Sequence, residues 1–362
     1  MIVVGIPTYN EADNISILIK NIDRVAGSLG IEITIINADS ASIDDTPVVF
    51  LNTPTRSKKV SIQNESKGKG HNIRSILHYV ADNEEVDGCV LIDGDITSFD
   101  SSWLTKQVAM IRKGYDYIVP TYARNYQEGN TTNHFAYPLL GMHFNGVAPR
   151  QPIAGDFGLS SRFAKYMMRQ KWQDRAYGYG IDIFLTLHAL RGGFQVTEIS
   201  LGKKLHKPSF DKMIPMFQEV AASYYETARE LFRDKATIPD TLLEQINAPK
   251  LIRARPLTGD AIAKRKREAI ELYARATSLM TTATLTPSTR VTKELWIDVL
   301  ITHEHMIGRV DSSSIAGSIL PWYLMRVITY LEDNHDEENA TEEIQRQFDL
   351  AVRQWNHEVA DY

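Results

Sequence analysis

A single cysteine, Cys89, occurs in the 362 residues of the chain, which excludes an intrachain disulfide framework. Lying between Gly88 and Val90, it reads as a buried thiol in a protein of a reducing compartment. No basic excess is present: 40 Lys plus Arg stand against 45 Asp plus Glu, a net charge of -5. Bulk charge therefore gives nucleic acid or an anionic membrane no reason to bind, and any anion must be held by local groups. No apolar run reaches the ~20 residues that a spanning helix requires. The most apolar late stretch, 319–331, contains Pro321 and Arg326 and reads as a buried helix. Residues 1–6 lack the basic start and long apolar core of an export signal, so a cytoplasmic location is expected. Repeats and low-complexity tracts are missing as well. At 43% hydrophobic and 23% charged residues the composition is that of an ordinary globular chain, long enough for one large domain with an appendage or for two domains.

What is present begins with β-branched runs. Residues 1–6 form one that ends at Pro7, and the polar residues 10–14 then offer caps for a helix over 15–25. The signal repeats as a strand over 31–36 with a polar loop 37–47, a strand over 59–63, a helix over 72–81 and a strand over 88–92 that ends at Asp93. Such alternation predicts an α/β domain on a mostly parallel sheet. Ligands gather beyond the carboxyl ends of strands in these sheets, so the loops 7–14, 37–45 and 93–95 should converge on one crevice. A strand over 117–120, a polar loop over 125–133, a helix over 181–190 and a strand-like stretch 196–201 follow, and their loops should form the other half of the cleft.

From about residue 213 the periodicity becomes helical, with helices expected over 217–232, 260–280, 293–307 and 342–359 and no strand signal. Pro239, Pro249 and Pro256 punctuate the crossing. The expected division is a domain over 1–238, in two parts, 1–100 and 101–238, and a helical region over 239–362 suited to packing or to a homodimer.

Several features can carry chemistry. Asp93-Gly94-Asp95 places two carboxylates at the end of a buried strand with room for a ligand between them, which suits Mg2+ or Mn2+ on a diphosphate; a solvated turn has the same pattern. Lys67-Gly68-Lys69-Gly70 sets two cations among glycines ahead of a helix, as a phosphate site would, or as a flexible surface loop would. His206, in Gly202-Lys203-Lys204-Leu205-His206, is placed to complete a metal site with Asp95, though a surface histidine fits the basic loop equally. His303 and His305 are expected on an exposed helix face. Asp182, at the start of its helix, is either an ordinary first-turn acid or a carboxylate beside an acceptor hydroxyl. Asp156, in Gln151-Pro152-Ile153-Ala154-Gly155-Asp156, is open in the same way, and the tripeptide 156–158 is not kinase evidence.

Taken in order, Pro7-Thr8-Tyr9-Asn10-Glu11, Asp39, Gly68-Lys69-Gly70, Asp93-Gly94-Asp95 (within DGDITSF), the run 151–156, Gly180-Ile181-Asp182 and Gly202-Lys203-x-x-His206 resemble the retaining GT-A glycosyltransferases of the mannosylglycerate synthase and glucosyl-3-phosphoglycerate synthase type. The likeness covers roughly the first two thirds of the chain. It implies a Rossmann-like GT-A domain, nucleotide-binding in 1–100 and acceptor-binding in 101–238, with a helical appendage. It further implies a hexosyltransferase that moves a sugar from GDP-mannose, GDP-glucose or UDP-glucose to glycerate or 3-phosphoglycerate, with Mg2+ or Mn2+, as in compatible-solute synthesis.

Carried over residue by residue, Pro7, Thr8, Tyr9, Glu11, Asp39, Asp93, Gly94 and Asp95 would hold the sugar nucleotide. Lys69 would meet its phosphates, Asp95 with His206 would ligate the metal (Asp93 being a further candidate), and Asp182 and Lys69 would be catalytic. Arg124, Thr131, Thr132, Gly155, Asp156 and Asp182 would face the acceptor. This sequence departs from the family pattern at Lys67, where the family has Pro, at Gly94, usually Ala or Ser, and at Asp156, a Glu. Its loop 122–133 also lacks the arginine that the phosphoglycerate enzymes carry in register. Two other readings keep the fold: an inverting enzyme with a lipid or polysaccharide acceptor and Asp182 as general base, and a non-catalytic nucleotide-sugar-binding protein.

Overall fold

The computed structural model describes residues 1–205, 213–232, 243–244, 251, 259–275, 284–286 and 288–360. In chain order its first elements are β1 (Ile2–Thr8), α1 (Ile15–Leu29), β2 (Ile33–Ser40), α2 (Thr46–Asn52), β3 (Lys58–Asn64), α3 (Lys69–Asp82), β4 (Gly88–Leu91), α4 (Ser101–Arg112) and β5 (Tyr117–Thr121). A π-helical turn (Thr132–Ala136), α5 (Tyr137–His143), β6 (Gly158–Ser160), α6 (Ser161–Met168), a 3-10 turn (Asp174–Tyr177), α7 (Ile181–Arg191) and β7 (Val196–Ser200) follow. The described remainder comprises α8 (Met213–Leu231), β8 (Leu243–Glu244), α9 (Gly259–Arg275), α10 (Lys293–Glu304), α11 (Ser312–Asp333) and α12 (Glu337–Ala360).

Two compact units result, and no single cut separates them: 1–122, 153–205 and β8 make one, while 123–152, α8 and α9–α12 make the other. This differs from the expected division near Pro239, a residue outside the described ones. Segment 123–152, read from sequence as part of the first domain, packs with helices that lie far along the chain, such as α5 on α12. Proline punctuation cannot report such long-range packing.

In the first unit the strands lie in the order β3-β2-β1-β4-β6-β5-β7-β8. All neighbours pair in parallel except β6, which runs against both β4 and β5. The expected α/β architecture on a mostly parallel sheet is therefore present. Every residue of β1 and β2 is buried, as strands covered on both faces require, which explains their unbroken β-branched runs. Helix α1 packs through Ile15, Leu18, Ile19, Ile22, Val25 and Ala26 and stops at Gly30, whose φ of 60° is left-handed. Those side chains join β1, β2 and α4, including Trp103 and Leu104, in one core. Cys89 is buried.

The loop 37–47 is partly helical, since α2 begins at Thr46 with Pro47 in its first turn. Helix α4, capped by Asp100, and the pair β6–α6 were not read from the sequence. Nor was β8, a two-residue strand pairing with β7 in a region expected to hold none.

In the second unit the expected polar loop ends in the buried π-helical turn before α5. Helix α11 is the buried helix expected over 319–331, with Pro321 inside it and Trp322, Tyr323 and Arg326 enclosed. The expectation of an exposed His303 is corrected. It is fully buried, with Nδ1 2.7 Å from the Val299 carbonyl and Nε2 3.3 Å from Ser318 Oγ, and burial lowers its pKa to about 4. A neutral imidazole can satisfy both ring nitrogens inside a helix bundle, which periodicity alone does not reveal. Among the described residues no helix is long and apolar enough to cross a membrane.

Candidate active site

The loops after β1, β2 and β4 meet at the carboxyl edge of the sheet. Thr8 Oγ1 donates to Asp39 Oδ2 at 3.0 Å and to Asn37 Oδ1 at 2.9 Å. Asp39 also accepts from Ser42 N at 2.8 Å and Ser42 Oγ at 2.6 Å. The Glu11 N–H donates to Thr46 Oγ1 at 2.8 Å. Gly94 N donates to the Pro7 carbonyl at 3.3 Å. Asn14, expected to cap α1, makes no capping bond; its Nδ2 donates to the carbonyls of Gly94 at 2.7 Å and Ile96 at 3.1 Å. The β1 and β4 loops are thereby fastened together. A Cβ on Gly94 would lie 2.8 Å from Thr8 Cγ2 and 3.1 Å from the Pro7 carbonyl, so glycine is needed here for close approach.

The glycines around Lys69 serve packing. A Cβ on Gly70 would lie 1.9 Å from the Ala176 carbonyl, and one on Gly68 2.3 Å from that of Tyr177. The segment is thus pressed on the 3-10 turn, not loose at the surface, and α3 starts with Lys69 aimed at the motif. Lys67 turns the other way, its Nζ 4.0 Å from the centre of the Tyr9 ring.

A ladder of alternating charges runs through the centre. Lys69 Nζ lies 3.3 Å from Asp182 Oδ2 and 2.9 Å from Asp93 Oδ1. Lys204 Nζ lies 3.1 Å from Asp93 Oδ2 and in a shorter contact with Asp156 Oδ2. The Asp156 carboxylate further accepts from Asp93 N at 2.7 Å and from Tyr122 OH at 3.0 Å. Gly155, at a φ of 71°, crosses above: a Cβ there would be 2.9 Å from Asp93 Oδ2 and 3.0 Å from Lys69 Nζ.

Charge balance sets the protonation of this ladder. Burial opposes ionisation of Asp93, but the Lys69 and Lys204 ammonium groups overcome it and hold the carboxyl well below the usual carboxylate range. Burial works equally against the charge on Lys69, and Asp182, Asp93 and Asp156 outweigh it to hold that amine well above the lysine range. Asp156 shifts up, through burial and then the charge of Asp93. Asp182 is pushed up to about 6, chiefly by burial, with Asp93 adding and Lys69 opposing. Asp182 Oδ1 is shielded from solvent and has no hydrogen-bond partner, an arrangement that invites a hydroxyl donor from a ligand.

Asp93, Asp182 and Lys69 thus come together. Asp156 does not meet the surface: its side chain is 0% exposed, and both oxygens are engaged behind Asp93. Asp95 is partly buried and makes no side-chain hydrogen bond or ion pair among the described residues. His206 lies outside the described residues, and among those described no three ligating side chains gather. The segment just before it runs beside the motif: Thr97 N donates to the Leu205 carbonyl at 3.1 Å and Leu205 N to Ser98 Oγ at 2.9 Å. Arg124, Thr131 and Thr132 belong to the helical unit. There Arg124 Nε donates to Gln151 Oε1 at 3.2 Å, Thr131 Oγ1 lies 3.0 Å from Tyr323 OH, and Thr132 is buried.

Sequence reasoning missed Lys204 and Tyr122. Lys203 and Lys204 are adjacent and alike in sequence, and only the turn after β7 decides which one points inward.

The family model described as "Mannosylglycerate synthase, GT domain" matches residues 13–211, more than half of the chain. The chain belongs to this glycosyltransferase family. The matched span covers the ladder and leaves Pro7 to Glu11 just outside. Mannosylglycerate synthase of Rhodothermus marinus is 24% identical over 134 residues, 36% of this chain and 34% of that protein; the match thus spans about a third of the relative's length. A solved glucosyl-3-phosphoglycerate synthase of Mycobacterium tuberculosis, in complex with Mn2+, UDP and phosphoglyceric acid, superposes with a TM-score of 0.50 at 20% identity, covering 63% of this chain and 78% of that one. The same enzyme with Mg2+ and UDP gives 0.50 at 21% identity, covering 63% and 79%. These likenesses show the fold, a GT-A-type sheet accompanied by C-terminal helices.

Proposed function

We propose that this chain is a metal-dependent, retaining glycosyltransferase that moves a hexose from a nucleoside-diphosphate sugar to a small hydroxy acid such as glycerate or 3-phosphoglycerate. The observation that carries this reading is the inequality built around Asp93-Gly94-Asp95. Two lysines occupy Asp93, whereas Asp95, two residues on, stays uncommitted among the described residues.

A partly buried, uncommitted carboxylate fits a hard divalent cation, and Asp95, with His206 as the family resemblance implies, would hold it. When bound, such a cation neutralises charge on the departing diphosphate. Lys69 supplies a fixed positive charge for the same phosphates without reorganisation during the reaction. Asp182 presents its unpartnered Oδ1 to the acceptor hydroxyl and orients it. In the transfer the bond from the sugar's anomeric carbon to the diphosphate oxygen breaks and a bond to the acceptor oxygen forms on the same face. The acceptor proton leaves with the diphosphate. Support for the donor class comes from the family match and from the Mn2+, Mg2+ and UDP of the fold relatives.

The raised pKa of Asp182, about 6, favours one rival, an inverting enzyme in which this group takes the proton itself. Titrating the protein calorimetrically with GDP, UDP and their hexose derivatives, with and without Mn2+, tests the main reading. Tight binding with Mn2+ and a loss of at least about tenfold in Asp95→Ala are expected; a wild-type protein that neither binds nor hydrolyses any of these compounds ends it. The anomeric configuration of the product, read by proton NMR, separates retention from inversion.

A further inference from the structure

The two lysines of the ladder are not equivalent. An ammonium has three N–H donors and no acceptor. Lys204 commits all three inside the protein: to Asp93 Oδ2 at 3.1 Å, to the Ala154 carbonyl at 3.1 Å and to Asp156 Oδ2 in a short contact. Its side chain is 6% exposed and its Nζ stands 5.3 Å from the centre of the Tyr122 ring. Lys69 has two acceptors, Asp93 and Asp182, and keeps a donor with no partner among the described residues.

The partner of Lys204 is held against its backbone preference. Asp156 adopts a φ of 45°, uncommon for a residue with a side chain, directly after Gly155. Such a conformation persists only where the surroundings over-determine it, and here the Asp93 amide, Tyr122 and Lys204 all fasten the Asp156 carboxylate. Both the main chain and the side chain of Asp93 are therefore gripped from behind by one buried pair.

We infer that Lys204 and Asp156 are positioning residues for Asp93, and that Lys204 is not a ligand of the donor phosphates despite its place in a basic loop. The pair turns Asp93 Oδ1 toward Lys69, fixes Lys69 with its remaining donor available to a ligand, and leaves Asp95 as the uncommitted carboxylate of the motif. The inference rests on the nucleotide-sugar reading for the identity of the ligand that Lys69 meets.

The full chain is compared with Lys69→Met, Lys204→Met, Asp156→Asn and the double variant Lys204→Met/Asp156→Asn. GDP and UDP with Mn2+ serve as calorimetric probes, and hydrolysis of the matching sugar nucleotide gives kcat. Lys69→Met should raise Kd at least about tenfold, as loss of a charge facing phosphate does. Lys204→Met should lower kcat at least about thirtyfold while Kd stays within about threefold. The double variant, which leaves no unpaired buried carboxylate at position 156, should recover at least about fivefold of that loss. A Kd raised in Lys204→Met as far as in Lys69→Met makes Lys204 a phosphate ligand and overturns the inference, and so does a kcat left unchanged. Should Lys204→Met fail to fold, Asp156→Asn carries the comparison, with kcat expected to fall about tenfold at constant Kd and an unmoved kcat counting against the inference. Wild-type protein that binds neither nucleotide defeats the donor reading itself and the inference with it.

Discussion

The sheet unit and the helical unit each bury an ionic network, and they treat it differently. In the helical unit Arg326, 1% exposed, donates through Nε to Gln347 Oε1 at 2.9 Å and through Nη2 to Glu343 Oε1 at 2.7 Å. Gln347 Nε2 donates to the Asn133 carbonyl at 3.0 Å, and its Oε1 also faces His134 Nδ1 at 3.1 Å. Burial and the Arg326 charge hold the His134 pKa well below its ordinary value, so the imidazole is neutral and the guanidinium has its charge met from within. The helical network leaves only a neutral ring nitrogen, His134 Nε2, without a hydrogen-bond partner among the described residues, whereas the sheet unit leaves unanswered a donor of charged Lys69 and an oxygen of Asp182. A buried charge that is satisfied is architecture; one left short of a partner is what the proposed reading takes as the place of a ligand.

That contrast is open to attack at three points. Arg326→Met should give the largest effect, a destabilisation of about 3 kcal/mol, because it removes the buried guanidinium's bonds to Gln347 and Glu343. Chemical denaturation measures it, and nucleotide affinity per folded molecule should be unchanged. A variant as stable as wild type would show that the helical network is dispensable.

Asp182 comes next, and its two signatures have opposite signs. Its pKa rises from 3.8 to about 6 on folding, so the folded state holds an extra proton between those values. The stability contributed by that proton is complete below about pH 4 and is lost as pH rises through about 6. Turnover that needs the carboxylate should rise over the same interval, by about fivefold from pH 5 to 6. Asp182→Asn should flatten both profiles, one read by thermal melting and the other by kcat/KM; profiles that keep their slopes would assign them to another group.

The smallest effect is expected at Lys67, whose exposed cation over Tyr9 contributes about 0.5 kcal/mol. Lys67→Ala should alter stability by no more than that in denaturant titration. A larger loss would move Lys67 out of the surface and into the group with Lys204.

The parallel strands were legible because a strand buried on both faces must be apolar along its length, as Ile2 to Ile6 are. The motif residues were legible because they stand where such strands end. Helices α2 and α4 were not read, since short helices with mixed faces give a weak period. His303 was misjudged for a related reason: whether a helix face is exposed depends on what packs against it, which its own sequence does not say.

By itself the sequence determined the sheet-and-helix order, the chemical types available at the crevice and the close approach that Gly94 permits, because these follow from local pattern and from side-chain size. Only the tertiary structure decided that Lys204 and not Lys203 turns inward, that Asp156 sits behind Asp93 and not at the surface, and that segment 123–152 joins the helical unit. Each of these depends on residues distant in the chain meeting in a low-dielectric interior, where the partner decides whether a charge is held in place or left for a ligand.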